Sequence, residues 1–349
     1  MGPAGVITVF RKFVLQLLLF CASAVLFALS FPSDFFMYGL APLSFIAFVP
    51  FFIAANRVHW WSAPFWGIFF GFFSYSLFNL WLLNFNPLAI IIVPCIYASW
   101  FFLVVPLSRF ARRWLPGWGF LFQVVMWISY EFLRTKGFLG YAYGIIGYSQ
   151  YQWPGLVRLS SLTGVWGVSL LVIFPSAFLG WLISDAIDSE VPTLPRIKQL
   201  LLTRKTGLIA LGYLLVFVAA LLYGMTQRVD LKDVRTVKMA LVQQNVDPWI
   251  GGIRSYTDSL DASLELSSAV HAEHPDVEMV VWSETSFVPS INFHTNTRTN
   301  PESYALVARL MDYLKDQSVP YVIGNGDRHF RKNAYGELET YDYNAVVLI

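Results

Sequence analysis

Residues 277–287 have the sequence Val277-Glu278-Met279-Val280-Val281-Trp282-Ser283-Glu284-Thr285-Ser286-Phe287, in which an apolar run ends on a carboxylate. The run Val277–Trp282 has the length and the β-branched and aromatic content of a buried strand. Such a strand would deliver Glu284 to the carboxyl edge of a parallel sheet, where α/β proteins usually hold their sites. Glu284 is therefore a candidate general base, and a solvated turn residue is the alternative interpretation.

The residues on either side of this stretch predict an α/β domain. Apolar runs of strand length alternate with segments of helical periodicity after Tyr223, and this alternation is typical of that class. The predicted strands are Val237–Gln244, Val277–Trp282, Tyr321–Gly324 and Tyr343–Ile349, and the predicted helices are Ser255–His271 and Pro301–Gln317. The run Gly324-Asn325-Gly326-Asp327 lacks the Lys-Ser/Thr of a phosphate loop, so we expect a hairpin turn there.

The composition of the whole chain indicates a membrane protein. Hydrophobic residues make up 56% of the 349 positions and charged residues only 13%, which is far from the balance of a soluble domain. The net charge of +2 is dispersed between apolar runs, and this excludes a nucleic-acid-binding surface. Both cysteines, Cys21 and Cys95, lie in apolar stretches, so neither a disulfide framework nor a metal-binding spacing is present.

The first 224 residues predict a polytopic α-helical membrane domain, because a spanning helix needs about 20 apolar residues. About seven spans are expected: Phe13–Phe31, Phe35–Ala55, Ala63–Leu83, Leu88–Ser108, Phe120–Leu133, Leu162–Ser184 and Gly207–Tyr223. Basic residues concentrate in alternate connections, which the positive-inside rule places in the cytoplasm. An odd number of spans then places residues 225–349 on the opposite face of the membrane. Glu131 and Arg134 stand three residues apart in the fifth span, close enough to pair, and a catalytic or lipid-contacting role is the alternative interpretation.

Four short motifs of the C-terminal domain resemble the carbon–nitrogen hydrolase (nitrilase) family. They are Val242-Gln243-Gln244-Asn245 after the first strand, Val281-Trp282-Ser283-Glu284 in place of the WPE motif, Tyr321-Val322-Ile323-Gly324 in the third strand, and Tyr343-Asn344 in the YN motif. The WPE motif carries that family's catalytic glutamate, so the resemblance implies that Glu284 is the catalytic base. It also implies that residues 225–349 form the N-terminal part of an αββα sandwich.

A nitrilase-like domain that follows a polytopic membrane part is similar to the apolipoprotein N-acyltransferase family. The membrane part contains three further segments that resemble this family, namely Trp127–Arg134, Gly137–Gln150 and Gly164–Ser169. By this resemblance Tyr148, Gln150 and Trp249 are candidate substrate-binding residues. The alternative interpretations are a turn for Tyr148 and Gln150, and an interfacial anchor for Trp249.

The resemblance implies N-acylation of lipoproteins in the bacterial cytoplasmic (inner) membrane, with the C-terminal domain on the periplasmic face. In the complete enzyme a cysteine thiolate takes an acyl chain from a phospholipid, and a lysine stabilises the oxyanion. The thioester then acylates the α-amine of the diacylglyceryl-cysteine of an apolipoprotein. The implied partners are a phospholipid donor, an apolipoprotein acceptor and the membrane, and neither a cofactor nor a metal ion is expected.

The chain departs from the family pattern in two respects. Ser283 replaces the proline before the glutamate, which we expect to loosen that turn. The family's lysine and cysteine follow the YN strand, whereas Lys332 precedes it and Cys21 and Cys95 belong to the membrane part. We therefore expect a chain that is truncated within a strand and inactive alone. The alternative function is a catalytically inactive, membrane-anchored nitrilase-like remnant or binding module.

Overall fold

The computed structural model describes residues 3–33, 35–227, 232–247 and 250–349. Its contacts divide the chain into two compact units, residues 1–229 and residues 230–349, and the sequence places the boundary between residues 224 and 225. Each unit has a hydrophobic core of its own, and we refer to them as the membrane unit and the α/β unit.

The described residues of the membrane unit form helices joined by turns and loops, and none of them lies in a strand. Its helices are α1 (Pro3–Leu29), α2 (Val49–Arg57), α3 (Ala63–Phe78), α4 (Leu82–Phe85), α5 (Ala89–Trp114), α6 (Gly119–Leu133), α7 (Pro154–Val157), α8 (Ser160–Thr163), α9 (Val165–Ile187), α10 (Thr193–Leu201) and α11 (Arg204–Thr226). Short 3₁₀ turns lie at Ala41–Phe45, Trp60–Ser62 and Ile146–Gln150.

Four helices of the described chain are long and apolar enough to cross a bilayer, which is fewer than the seven predicted spans. They are Val9–Leu29, Ala89–Trp114, Val165–Ile187 and Arg204–Thr226. The predicted span Phe35–Ala55 is divided between the 3₁₀ turn Ala41–Phe45 and α2, and a proline opens each of the two segments. Proline favours the start of a new helix, because it lacks the N–H that it would have to donate inside a continuing helix. Helices α3 and α6 have only 16 and 15 residues.

Small residues allow α3 to approach α5 closely. Gly67 and Gly71 stand four residues apart on α3, and a Cβ at Gly67 would lie 2.0 Å from the carbonyl oxygen of Phe101. A Cβ at Gly71 would lie 2.8 Å from the Cα of Ala98. This spacing of small residues is a common device for packing helices in membranes, where apolar side chains gain little by leaving lipid.

Aromatic side chains fill the core of the membrane unit. Phe51 is fully buried, and its ring lies 4.6 Å from that of Phe70 and 5.7 Å from that of Trp127. Phe101 completes this cluster from α5, with its ring 5.1 Å from Phe70. Edge-on and tilted contacts of this kind add to the dispersion energy that holds membrane helices together.

The α/β unit contains a four-stranded mixed sheet with helices on one face. Its elements are β1 (Met239–Val242), α12 (Ile253–Glu273), β2 (Met279–Trp282), α13 (Ile291–Asn296), α14 (Pro301–Lys315), β3 (Tyr321–Lys332) and β4 (Leu338–Leu348). The strands lie in the order β1-β2-β3-β4, with β1 to β3 parallel and β4 antiparallel to β3. A membrane helical domain followed by a partial α/β domain is therefore confirmed.

The prediction of a turn at Gly324–Asp327 is wrong. These residues lie inside β3, and Gly324 pairs with Val346 of β4. The hairpin turn lies further on, where the amide of Asn333 donates to the carbonyl of Glu337 and Gly336 has a φ of +83°. Eleven residue pairs join β3 to β4, and this long ladder outweighs the local preference of two glycines for a turn.

Only one face of the sheet is covered by the described helices. Trp282, Val280 and Ile323 point to the covered face and are buried with Leu310 of α14. On the other face the alternate residues of the edge strands are exposed, for example Leu241 by 79%. The period of two along each strand thus separates a packed face from an uncovered apolar face.

Candidate functional site

Glu284 lies directly after β2, at the carboxyl end of the parallel strands. The amide of Ser286 donates to the carbonyl of Ser283, so Glu284 occupies a tight turn that reverses the chain. Its side chain is exposed, and its Oε1 accepts a 2.5 Å hydrogen bond from the amide nitrogen of Asn344. Asn344 lies on β4, sixty residues along the chain, and the antiparallel pairing of β3 and β4 brings it here.

Backbone strain is concentrated at the same edge of the sheet. Among the described residues other than glycine, only Asn245 (φ 51°) and Thr285 (φ 56°) have a positive φ. Asn245 follows β1 and Thr285 follows β2, so both strained residues lie at neighbouring strand ends. Asparagine tolerates this region, but a β-branched threonine is a true outlier. Such strain persists where the surrounding structure enforces it, and it is typical of functional sites.

Gly324 of β3 makes the close approach to this turn possible. A Cβ at this position would lie 2.8 Å from the Cα of Glu284 and 2.9 Å from the carbonyl oxygen of Ser283. Both atoms belong to backbone, so neither can move aside cheaply. The third predicted strand therefore needs a glycine here in order to hold Glu284 against the sheet.

Asn325 clamps the segment that follows Glu284. It is 2% exposed, and its Nδ2 donates to the carbonyls of Phe287 at 2.7 Å and Pro289 at 3.0 Å. Its Oδ1 accepts from the amide of Ile291 at 2.9 Å. One buried side chain thus satisfies three backbone groups that the irregular segment could not pair by itself.

Ser283 makes two hydrogen bonds to the end of the neighbouring strand. Its amide donates to the carbonyl of Val242, and its hydroxyl donates to Oε1 of Gln244 at 2.9 Å. Proline has no amide hydrogen and no hydroxyl, so it could make neither bond. Where we expected a loosened turn, these bonds connect the turn to the end of β1.

Tyr148 lies in the membrane unit and lines an apolar cavity of about 560 Å³. The cavity is bounded by aromatic and small residues that follow α1, that lie at or after the end of α3, and that follow α6, including Phe31, Phe78, Trp81 and Tyr143. A second cavity of about 640 Å³ shares Pro32, Phe78 and Trp81 with it. Neither cavity has a charged residue among its described lining, so the pair is suited to acyl chains.

Gln150 is not among the described residues that line this cavity. Gln150 is buried, and its Nε2 donates to Ala41, Ser44 and Ser149. These bonds join two 3₁₀ turns and favour the turn interpretation of this residue. Trp249 lies outside the described residues.

Glu131 and Arg134 are both buried, but they bond to other groups and not to each other. Oε1 of Glu131 accepts from the amide of Ile146 at 2.7 Å and from Nε1 of Trp127 at 3.2 Å. Nη1 of Arg134 donates to the hydroxyl of Tyr97 at 2.9 Å. The predicted side-chain pair is therefore wrong, because nearby backbone and phenol groups supply better-placed partners.

Arg134 also holds the loop that forms one wall of the cavity. Its Nη1 donates to the carbonyls of Tyr141 and Tyr143 at 2.8 Å each, while the guanidinium lies over the rings of Tyr97 and Tyr130. Glu131 of α6 accepts from the amide of Ile146. Together with Arg134, which follows the last residue of α6, it fixes the backbone between residues 141 and 146. Sequence spacing identified these two residues, but not the loop that they bind.

Comparisons with known proteins agree with these features. Residues 23–178 match the family model for the apolipoprotein N-acyltransferase N-terminal domain. The chain is 38% identical to apolipoprotein N-acyltransferase 1 of Treponema denticola over 347 residues, which is 97% of this chain and 62% of that protein. It is 34% identical to apolipoprotein N-acyltransferase 1 of Treponema pallidum over 95% of this chain and 61% of that protein. The chain thus spans less than two thirds of the length of these relatives.

Proposed function

The chain belongs to the apolipoprotein N-acyltransferase family, and we propose that its gene product N-acylates lipoproteins with Glu284 as general base. The observation that carries this proposal is the position of Glu284. Its carboxylate stands at the carboxyl end of a parallel strand, is accessible, and is oriented by Asn344. A carboxylate held in this way can accept a proton from a thiol or an amine that is brought beside it.

The proposed reaction has two steps. First, Glu284 takes the proton of a cysteine thiol, and the thiolate attacks the ester carbonyl of a phospholipid. A thioester forms, and a lysophospholipid leaves after it receives that proton. Second, the α-amine of a diacylglyceryl-cysteine attacks the thioester, so that an amide forms and the thiol is regenerated.

The apolar cavities of the membrane unit are the proposed place for the acyl chains. Tyr148 lines one of them, and we retain it as a candidate substrate contact, together with Trp249. Gln150 is a weaker candidate, because its amide nitrogen is already bonded to three groups of the protein. We propose that this end of the unit faces the periplasm of a bacterial inner membrane, since Lys12, Arg57 and Arg109 lie toward the other end.

We further propose that the α/β unit is the N-terminal part of a nitrilase-like domain, preceded by a membrane domain in residues 1–224. The cysteine and the lysine of the reaction are not among the residues that the structure places beside Glu284. Cys21 and Cys95 belong to the membrane unit. We therefore expect the 349 residues by themselves to give no transfer.

The test is an acyl-transfer assay with the full gene product in proteoliposomes. The donor is a phospholipid with isotope-labelled acyl chains, and the acceptor is a synthetic peptide with an N-terminal diacylglyceryl-cysteine. We expect one labelled acyl chain on the α-amine of the peptide, located by tandem mass spectrometry. The absence of labelled amide from a folded full gene product would refute the proposed function.

A further inference from the structure

A third cavity, of about 790 Å³, lies between α1 and α3 and has both charged and apolar walls. It contacts the N-terminal half of α1, whereas the cavity of about 640 Å³ contacts the C-terminal half of that helix. Its basic lining residues are Lys12, Arg57, His59 and Arg109, and its aromatic ones are Phe13, Phe65, Trp66 and Phe69. We refer to it as the basic groove.

Two positive charges of the basic groove form no ion pair in the described part of the chain, although Asp188 also attracts one of them, Arg109. Arg57 forms an ion pair with Asp188. Neither Lys12 nor Arg109 takes part in an ion pair among the described residues, and no acidic side chain is among the groove's described lining. At the edge of a bilayer such charges attract anionic groups.

Arg109 is held in place by a buried polar network. Its guanidinium donates to the backbone carbonyl of Asn56, and the side chain of Asn56 is fully buried. Asn56 in turn donates to Ser184 at 3.2 Å and accepts from Gln123 at 2.6 Å. These bonds connect α2, α5, α6 and α9, so the position of Arg109 is fixed before any ligand binds.

The apolar part of the groove begins next to these charges. The rings of Phe13 and Trp66 lie 5.2 Å apart, and Trp66 stacks on the buried Phe20 at 5.4 Å. Phe65 contributes a side chain that is 72% exposed. A ligand with one anionic group and long apolar chains would therefore match both halves of the groove.

We propose that the basic groove binds one anionic phospholipid, with its phosphodiester between Lys12 and Arg109 and its acyl chains along Phe13, Phe65 and Trp66. The concentration of basic residues places the groove in the cytoplasmic leaflet, away from the proposed site of acyl transfer. The lipid is therefore a bound component of the membrane unit and not the acyl donor. This inference does not depend on the proposed reaction.

Native mass spectrometry of the detergent-solubilised full gene product tests the proposal. Phosphatidylglycerol and phosphatidylcholine with identical acyl chains are titrated separately. We expect one phosphatidylglycerol to bind more tightly than phosphatidylcholine. Lys12→Gln should weaken phosphatidylglycerol roughly fivefold and phosphatidylcholine less, because the choline group offsets the charge of the same phosphodiester, and adding Arg109→Gln should weaken phosphatidylglycerol by a similar factor again. Phe65→Ser should weaken both lipids alike.

Arg113→Gln is the matched control, since Arg113 is an exposed residue on the same helix as Arg109 and does not line the groove. Lys12 is exposed, so its variant reports on binding even if loss of the Arg109 bond to Asn56 impairs folding. Equal affinity for the two lipids in the unchanged protein would overturn the proposal. The proposal also fails if Arg113→Gln weakens binding as much as Lys12→Gln, or if Lys12→Gln has no effect.

Discussion

Two carboxylates, Glu131 in the membrane unit and Glu284 in the α/β unit, illustrate opposite uses of the same side chain. Glu131 is 1% exposed and accepts hydrogen bonds from a backbone amide and an indole. Glu284 is exposed, with a single described hydrogen bond from Asn344. The buried carboxylate has partners that fix a loop, whereas the exposed one has unused acceptor capacity at a strained turn. Burial therefore marks a structural role here, and accessibility marks the candidate for chemistry.

The largest effect expected from this comparison is on turnover. Glu284→Gln in the full gene product keeps the shape of the side chain but removes the base, so acyl transfer should fall by roughly 10² to 10⁴-fold. The rate of labelled amide formation in proteoliposomes measures this effect. Glu265→Gln, at an exposed position of α12, should retain full activity. Comparable rates for the Glu284 variant and the unchanged protein would remove Glu284 from the mechanism.

The second effect concerns the stability of the membrane unit. Arg134→Met leaves the carbonyls of Tyr141 and Tyr143 without this donor and removes the positive charge near Glu131. Removing one partner of such a buried polar cluster should lower the free energy of unfolding by about 3 kcal/mol. Thermal unfolding in detergent and hydrogen exchange of residues 135–146 measure the loss.

Lys136→Met is the matched control for this change, because Lys136 is a nearby exposed cation. It should leave both the melting temperature and the exchange rates nearly unchanged. If Arg134→Met unfolds at the same temperature as the control, the loop does not depend on the guanidinium.

A third change tests whether the turn of Glu284 depends on Asn325. Asn325→Ala leaves two carbonyls and one amide of residues 287–291 without their side-chain partner. We expect a cost of about 2 kcal/mol to the α/β unit, with faster hydrogen exchange in residues 284–291. Asn296→Ala, at an exposed site on α13, is the control. Unchanged exchange in the Asn325 variant would show that strand pairing alone holds the segment.

The smallest expected effect is on the stability of the hairpin formed by β3 and β4. Arg328 donates to both carboxylate oxygens of the exposed Asp342, and this contact holds the pKa of Asp342 below its usual range. Because the pKa of the folded state is lowered, the pair stabilises the hairpin above the unfolded pKa of about 3.9. The stabilisation is lost as the pH falls through the lower, folded value.

Asp342→Asn should therefore lower the melting temperature of the α/β unit slightly at pH 7 and not at all near pH 2. Asp258→Asn, on α12, serves as a control for the general effect of removing a negative charge. A difference between the Asp342 variant and the unchanged protein that persisted at low pH would contradict an electrostatic origin.

The sequence by itself determined the features that depend on local pattern. Composition separated the membrane part from the α/β part, and apolar runs of strand length predicted strands close to β1 and β2. The apolar run ending at residue 282 placed Glu284 at a strand end, and the short motif around it indicated the family. These signals are readable because each one depends on residues that are neighbours in the chain.

Only the tertiary structure decided the features that depend on distant partners. Asn344 approaches Glu284 because β4 pairs along β3, and the same pairing turns the Gly324–Asp327 run from an expected turn into strand. Arg134 bonds to the loop after α6 and not to Glu131, because the folded loop offers carbonyls at 2.8 Å. In each case a hydrogen bond to a residue outside the same helix or turn outweighs a local preference, and the spacing of residues along a helix or a strand does not contain that information.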